Sequence, residues 1–123
     1  MVKEINLVVL NGDIMNKGFV YLLLVVDEKG GEKYKIGVTK RNIAKRISEL
    51  QTGNESKIQL LKSYQSENYL KVERFLHRKY MIKTEAENEW RSLTDEQVIS
   101  FLKDCKEADD NINFLLKNNP FYD

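Results

Sequence analysis

Tyr21, Lys35, Arg46, Glu73 and His77 are the residues of this chain whose types and spacing could do chemistry. They lie in GFVYLLLVVDEKGGEKYKIGVTKRNIAKRISELQTGN and, further on, in SENYLKVERFLHRKY. Arg46 and Glu73 fall where helices should turn an apolar flank inward. An unpaired charge is expensive to bury and calls for a partner, a metal or a substrate. A guanidinium can hold a phosphate oxygen through its planar fork. A carboxylate can hold a hard divalent cation together with waters and substrate phosphate. Tyrosine, lysine and histidine can move protons. Together these are the parts of a phosphodiester-cleaving site. Each part also has a plainer reading. Tyr21 is then a strand aromatic with its hydroxyl at the edge. Glu73 and His77 are a helix pair one turn apart, and Arg46 with Glu73 is a buried salt bridge serving the fold.

Elements must position these groups. Ile5–Leu10 reads as a short strand, ended by the turn signal Asn11-Gly12. Phe19–Val26 is a strong aliphatic strand, Asp27–Glu32 a hairpin loop and Tyr34–Thr39 the returning strand. Asn42 can cap a helix running to about Gln51, which Gly53 ends. Ile58–Tyr64 reads as another strand, and Ser66 can cap a second helix through about Met81. Glu89–Leu93 is a connecting segment. Thr94-Asp95-Glu96-Gln97 has capping-box spacing before a helix through about Cys105, with a further helix over Asp110–Lys117. The order predicts a small α+β domain: an antiparallel sheet of a β-hairpin plus further strands, flanked by helices.

Strand parity sorts the hairpin's faces. If it closes through Gly30-Gly31, Val20, Leu22, Leu24 and Val26 share an apolar face with Tyr34, Ile36 and Val38. Tyr21 then shares the opposite face with Lys35, Gly37 and Thr39. On the first helix the stripe is Ile43, Ile47 and Leu50, with Arg46 on its flank and Lys45 and Ser48 pointing away. On the second the stripe is Tyr69, Val72, Leu76 and Tyr80. Glu73 and His77 lie on its edge, and Arg74 and Arg78 point outward.

The 123 residues suffice for one domain with a real core and are too few for two ordinary ones. The longest apolar run, Phe19–Val26, is far short of the roughly 20 residues of a membrane span. The N-terminus lacks the features of a signal peptide, and Cys105 is the single cysteine. A cytoplasmic protein without intrachain disulfide or cysteine metal cluster is expected. Net charge is only +1, but its distribution is uneven. Lys33, Lys35, Lys40, Arg41, Lys45 and Arg46 form an early basic cluster, while acidic residues concentrate late. One face could therefore be basic; a mixed, solvated surface explains the charges equally well. Lys33, Lys40, Arg41 and Lys45 are the candidates for seating a nucleic-acid backbone.

Four motifs in order carry a family resemblance over about Gly18–Leu93. GFVYLL, YKIGVT, RISELQTGN and VERFLH resemble the successive elements of the GIY-YIG nuclease superfamily, in its phage and large-DNA-virus branch. ENEWRSL resembles the segment that follows them. The resemblance implies a core at 18–93 within a single domain, an N-terminal edge strand in 1–17 and a helical segment in 94–123. It maps the first family tyrosine to Tyr21, the arginine to Arg46 and the metal-binding glutamate to Glu73, with His77 in the same helix. Three positions depart from the pattern. Lys35 stands where the second tyrosine is usual, and Tyr34 lies one place earlier, on the other face. Leu50 stands where a histidine or tyrosine often follows the arginine. Asn88 is the nearest counterpart of the late asparagine.

The resemblance implies a metal-dependent endonuclease that hydrolyses DNA phosphodiesters with Mg²⁺ or Mn²⁺ on Glu73. Arg46 would stabilise the phosphorane, and the general base is left open between Tyr21, Lys35 and His77. The alternatives are a catalytically inactive nucleic-acid-binding or adaptor domain on the same fold, and a protein-interaction module using the acidic C-terminal segment. Without a recognition module beside the core, specificity would come from DNA structure, a homodimer or a protein partner.

Overall fold

The computed structural model describes residues 17–80 and 90–119. The expected strand Ile5–Leu10 and Asn88 lie outside the described residues. The elements are β1 (Gly18–Val26), β2 (Glu32–Thr39), α1 (Ile43–Gln51), β3 (Gln59–Ser66), α2 (Tyr69–Lys79) and α3 (Asp95–Asn118). The three strands form one antiparallel sheet in the order β2-β1-β3, the α+β arrangement expected.

β1 lies in the middle because its sequence can be buried on both sides. Val20, Tyr21, Leu22 and Leu23 are all essentially inaccessible, and an apolar run without polar alternation has nowhere else to go. The hairpin closes as parity requires: Leu24 faces Tyr34, Leu22 faces Ile36, Tyr21 faces Gly37 and Val20 faces Val38. Asp27 holds the turn, its Oδ1 accepting from the amides of Lys29 and Gly31 at 2.9 and 2.7 Å. Gly30 takes the positive φ of 82° that the reversal needs. Val26, at the strand's end, is exposed and not part of the core face.

The two faces carry different cores. Val20, Leu22, Tyr34 and Ile36 pack with Val72, Leu76 and Tyr80 from α2 and with Phe101, Cys105, Ala108 and Ile112 from α3. Tyr21, Leu23, Val25 and Ile58 form the second cluster, covered by Ile47 and Leu50 of α1 and by Trp90. α1 therefore lies across the sheet from α2 and α3.

Two expectations about helices need correction. The C-terminal segment is one continuous helix of 24 residues, not two. Asp104 to Asp110 reads as a polar break in the sequence, yet Asp104 and Asp109 bind inward instead of ending the helix. Asp109 accepts hydrogen bonds from Tyr64, Ser66 and Asn68, and Asp104 from Lys79, Tyr80 and Ser100. The acidic segment thus packs on the core. Ser66 is also not the cap of α2: it ends β3, and Asn68 holds the N-cap position without a capping side-chain bond. The Ser66 hydroxyl instead accepts from the Asn68 amide at 2.8 Å. The predicted capping box of Thr94 and Gln97 is present in full.

Candidate active site

Tyr21 projects from β1 onto the face covered by α1. Its side chain is 1% exposed, so its hydroxyl is not at a solvent edge. The ring passes over β2 at Gly37, where an added Cβ would stand 2.5 Å from the phenolic oxygen. Real Cβ atoms do not approach that closely, so the absence of a side chain at 37 is what admits the hydroxyl.

Arg46 reaches the same hydroxyl from α1. Asn42 starts that helix, its Oδ1 accepting from the Lys45 amide at 3.2 Å. This phases Arg46 onto the sheet-facing flank, where it is partly covered while Lys45 and Ser48 are exposed. The hydrogen bond with Tyr21 is the main influence raising the Arg46 pKa; burial opposes it, and Glu49 adds to it. The guanidinium's carboxylate neighbour is Glu49 at 3.4 Å, which also binds Arg41 at 2.8 Å. The hydrogen bond from Arg41 leads the influences that lower the Glu49 pKa. Glu49, which the sequence alone did not single out, thus anchors both arginines; its i,i+3 spacing from Arg46 was the available signal.

Glu73 and His77 come from α2, on the opposite side of the sheet, and meet its rim at β2. Among the described strands β2 lies at the edge, and Tyr34 turns both its backbone groups outward to bridge Arg91. Two residues on, the Ile36 carbonyl points the same way and meets His77 Nε2 at 3.2 Å. The same nitrogen lies 3.5 Å from Glu73 Oε2. Both neighbours are acceptors, which assigns the ring proton to Nε2. His77 Nδ1 is buried and hydrogen-bonds to no described residue.

Burial is the dominant influence on the Glu73 carboxyl and raises its pKa; His77, Arg74 and Lys35, in that order, pull it down. Lys35 lies on β2 next to the residues that both groups touch. It precedes Ile36 and Gly37 on β2, is half-buried and acts on Glu73. Tyr34, by contrast, is in the core on the other face. The structure therefore brings Tyr21 near Arg46 and pairs His77 directly with Glu73. The three consecutive residues Lys35, Ile36 and Gly37 connect the two pairs.

Of the basic candidates, Lys40 and Lys45 are exposed. Lys33 is exposed with its Nζ 3.3 Å from the Ser92 hydroxyl, and Arg41 is tied to Glu49. Among the described residues, no group of three or more His, Cys, Asp or Glu side chains is placed to hold a metal ion. No helix among them is long and apolar enough to cross a membrane.

A sheet with an arginine–tyrosine pair on one face and a carboxylate at its rim defines a small α+β domain with a polar site at one strand edge. The T5orf172 domain family model matches residues 18–106, from the first residue of β1 into the middle of α3. The chain belongs to the T5orf172 domain family. No curated protein and no solved structure matches it.

Proposed function

We propose that this protein is a metal-dependent endonuclease of the GIY-YIG type, hydrolysing DNA phosphodiester bonds. The observation that carries the reading is the Tyr21 hydroxyl, buried against Gly37 and close enough to a half-covered arginine to raise its pKa. Such a pair costs burial energy, and the apolar alternatives Phe and Leu would pack as well. Membership of the T5orf172 domain family supports a nuclease or DNA-binding role.

The residues fit a divalent ion held by one carboxylate. Glu73 is largely buried and its ionised form lacks full compensation. It would hold Mg²⁺ or Mn²⁺ with waters and a phosphate oxygen completing the shell. When bound, the ion supplies Lewis-acid stabilisation of the leaving oxygen. Arg46, a permanent cation, stabilises the charge that builds on the phosphorus centre. Tyr21 in its phenolate form, beside that cation, would take the proton of the attacking water as the water oxygen bonds to phosphorus, with a neutral Lys35 amine the second candidate for that task. His77 serves as a positioning residue. Its Nε2–H is committed to Ile36 and Glu73 and its Nδ1 is buried, so neither nitrogen is set to take a proton from water. Lys40 and Lys45 seat the phosphate backbone.

Supercoiled-plasmid nicking with Mg²⁺ and Mn²⁺, beside Glu73→Ala and Arg46→Ala proteins, tests the proposal. Metal-dependent nicking lost in both variants supports it. DNA binding without turnover in any metal points to a catalytically inactive binding domain, in which Lys35 and Leu50 mark a decayed site.

A further inference from the structure

A cavity of about 290 Å³ opens beside Lys35, lined by Glu49, Leu50, Thr52, Gly53, Asn54 and Trp90. It touches the candidate active site through Lys35 and through the Tyr21 cluster, on which Leu50 and Trp90 both pack. Its walls are unlike. One is apolar and aromatic, from Leu50 and Trp90; the other carries the amide of Asn54 and the hydroxyl of Thr52.

The polar wall is built in advance. Gln51 spans the loop after α1: its Nε2 donates to the Asn54 and Ser56 carbonyls at 3.0 and 2.9 Å, and its Oε1 accepts from the Ile58 amide at 2.9 Å. Gly53, at φ 85°, makes the turn. Asn54 Oδ1 accepts from the Ser56 amide at 3.1 Å, which fixes the side chain and leaves Nδ2 as the donor available to a ligand. Glu49, the acidic wall residue, is neutralised by Arg41 and Arg46 and so does not repel an anionic strand.

We propose that this cavity receives a single unpaired nucleobase of the DNA strand, stacked on Trp90 with its polar edge toward Asn54. The inference rests on the DNA-acting reading above and names its substrate class: DNA with unpaired nucleotides. The volume lies at the small end of ligand cavities and is enough for one planar ring system. An aromatic wall with one amide at its edge is the chemistry that takes up a base lifted from the duplex stack. A paired base cannot enter without leaving its partner.

Trp90 is the chain's single tryptophan, so its emission reports the cavity directly. The test titrates the full chain, in chelator and therefore without cleavage, with three probes of equal length: oligothymidylate, the same backbone made abasic, and a fully paired duplex. Oligothymidylate should quench Trp90 saturably and bind about tenfold tighter than the abasic strand, as loss of a stacked base requires. The duplex should leave Trp90 emission unchanged. By anisotropy of labelled strands, Trp90→Phe should keep the preference for bases, Trp90→Ala should abolish it, and Asn54→Ala should weaken base-containing strands about fivefold. Equal affinity for the thymidylate and abasic strands, or unchanged Trp90 emission at saturation, overturns the proposal even if plasmid nicking is robust. Base-dependent quenching in a protein that cleaves nothing upholds the cavity and removes only the nuclease reading.

Discussion

The phenolic oxygen of Tyr21 occupies the place that a side chain at Gly37 would need, 2.5 Å from where its Cβ would stand. Glycine at 37 is therefore a condition of the Tyr21–Arg46 pair. Gly37→Ala should push the ring off the β2 backbone and break that pair. The expected stability loss is about 1–3 kcal/mol, typical of overpacking. Cleavage, measured by single-turnover nicking at a temperature where the variant is folded, should fall about 100-fold or more. An alanine variant with full activity would mean that the hydroxyl position does not matter.

Glu73 sets function against stability. Burial raises its folded pKa above the unfolded value. The group's contribution is then fully present below the unfolded pKa and is lost as pH rises through the folded one. At neutral pH the ionised carboxylate is a net cost. Glu73→Gln should therefore raise the melting temperature at pH 7 and lose that advantage near pH 4, while abolishing metal-dependent nicking. A variant destabilised at pH 7 would show Glu73 to be a structural ion-pair member.

Much of this arrangement was legible in residue order. The parity of Phe19–Val26 against Tyr34–Thr39 predicted which residues share the Tyr21 face, because a one-residue slip would have exposed Leu22 and Ile36. The phase of Arg46 on α1 followed from Ile43, Ile47 and Leu50. Three features were not legible. Helix continuity through Asp104–Asp110 depends on hydroxyl, amide and lysine partners up to 45 residues away in sequence. The joining of Arg41 and Arg46 through Glu49 depends on where the β2–α1 loop places Arg41. The cavity wall at Trp90 depends on that residue returning to the sheet from beyond α2.

Asp104 is a buried carboxylate on which the fold depends. Burial raises its pKa, but hydrogen bonds from Tyr80, Lys79 and Ser100 outweigh this and leave it below the ordinary range. A depressed folded pKa contributes stability above the unfolded pKa, lost as pH falls through the folded one. Asp104→Ala should cost about 1–3 kcal/mol at pH 7, removing the acceptor shared by Lys79, Tyr80 and Ser100 and leaving the two hydroxyls only their longer bonds to the Gln97 carbonyl. In urea melts the gap between wild type and variant should narrow as pH falls below the ordinary carboxylate range. A gap constant with pH would remove ionisation from the account.

Cys105 is an inert neighbour of that network. It is fully buried, and burial leads the influences that push its thiol up to about 12. Thiol-reactive probes should label it only on unfolding. Labelling of the native protein within minutes would show α3 opening locally.

Lys45 is exposed on the helix that carries Arg46. Lys45→Ala should weaken DNA binding across sequences and reduce the slope of log K against log salt by about 1. Arg41→Ala should disturb catalysis more than its single charge implies, because it frees Glu49 to compete for Arg46. Titrations at several salt concentrations, paired with nicking rates, separate the two. Equal effects of both variants on binding alone would show Arg41 to be another phosphate contact.

Tyr21→Phe tests the central claim most directly, because it removes one oxygen and keeps the ring in its core. Metal-dependent nicking of supercoiled plasmid by wild type and variant, under single-turnover conditions with melting curves alongside, is the measurement. A folded variant slowed about 100-fold or more is the predicted result. Nicking at the wild-type rate would contradict the account and reduce the Tyr21–Arg46 hydrogen bond to a structural one.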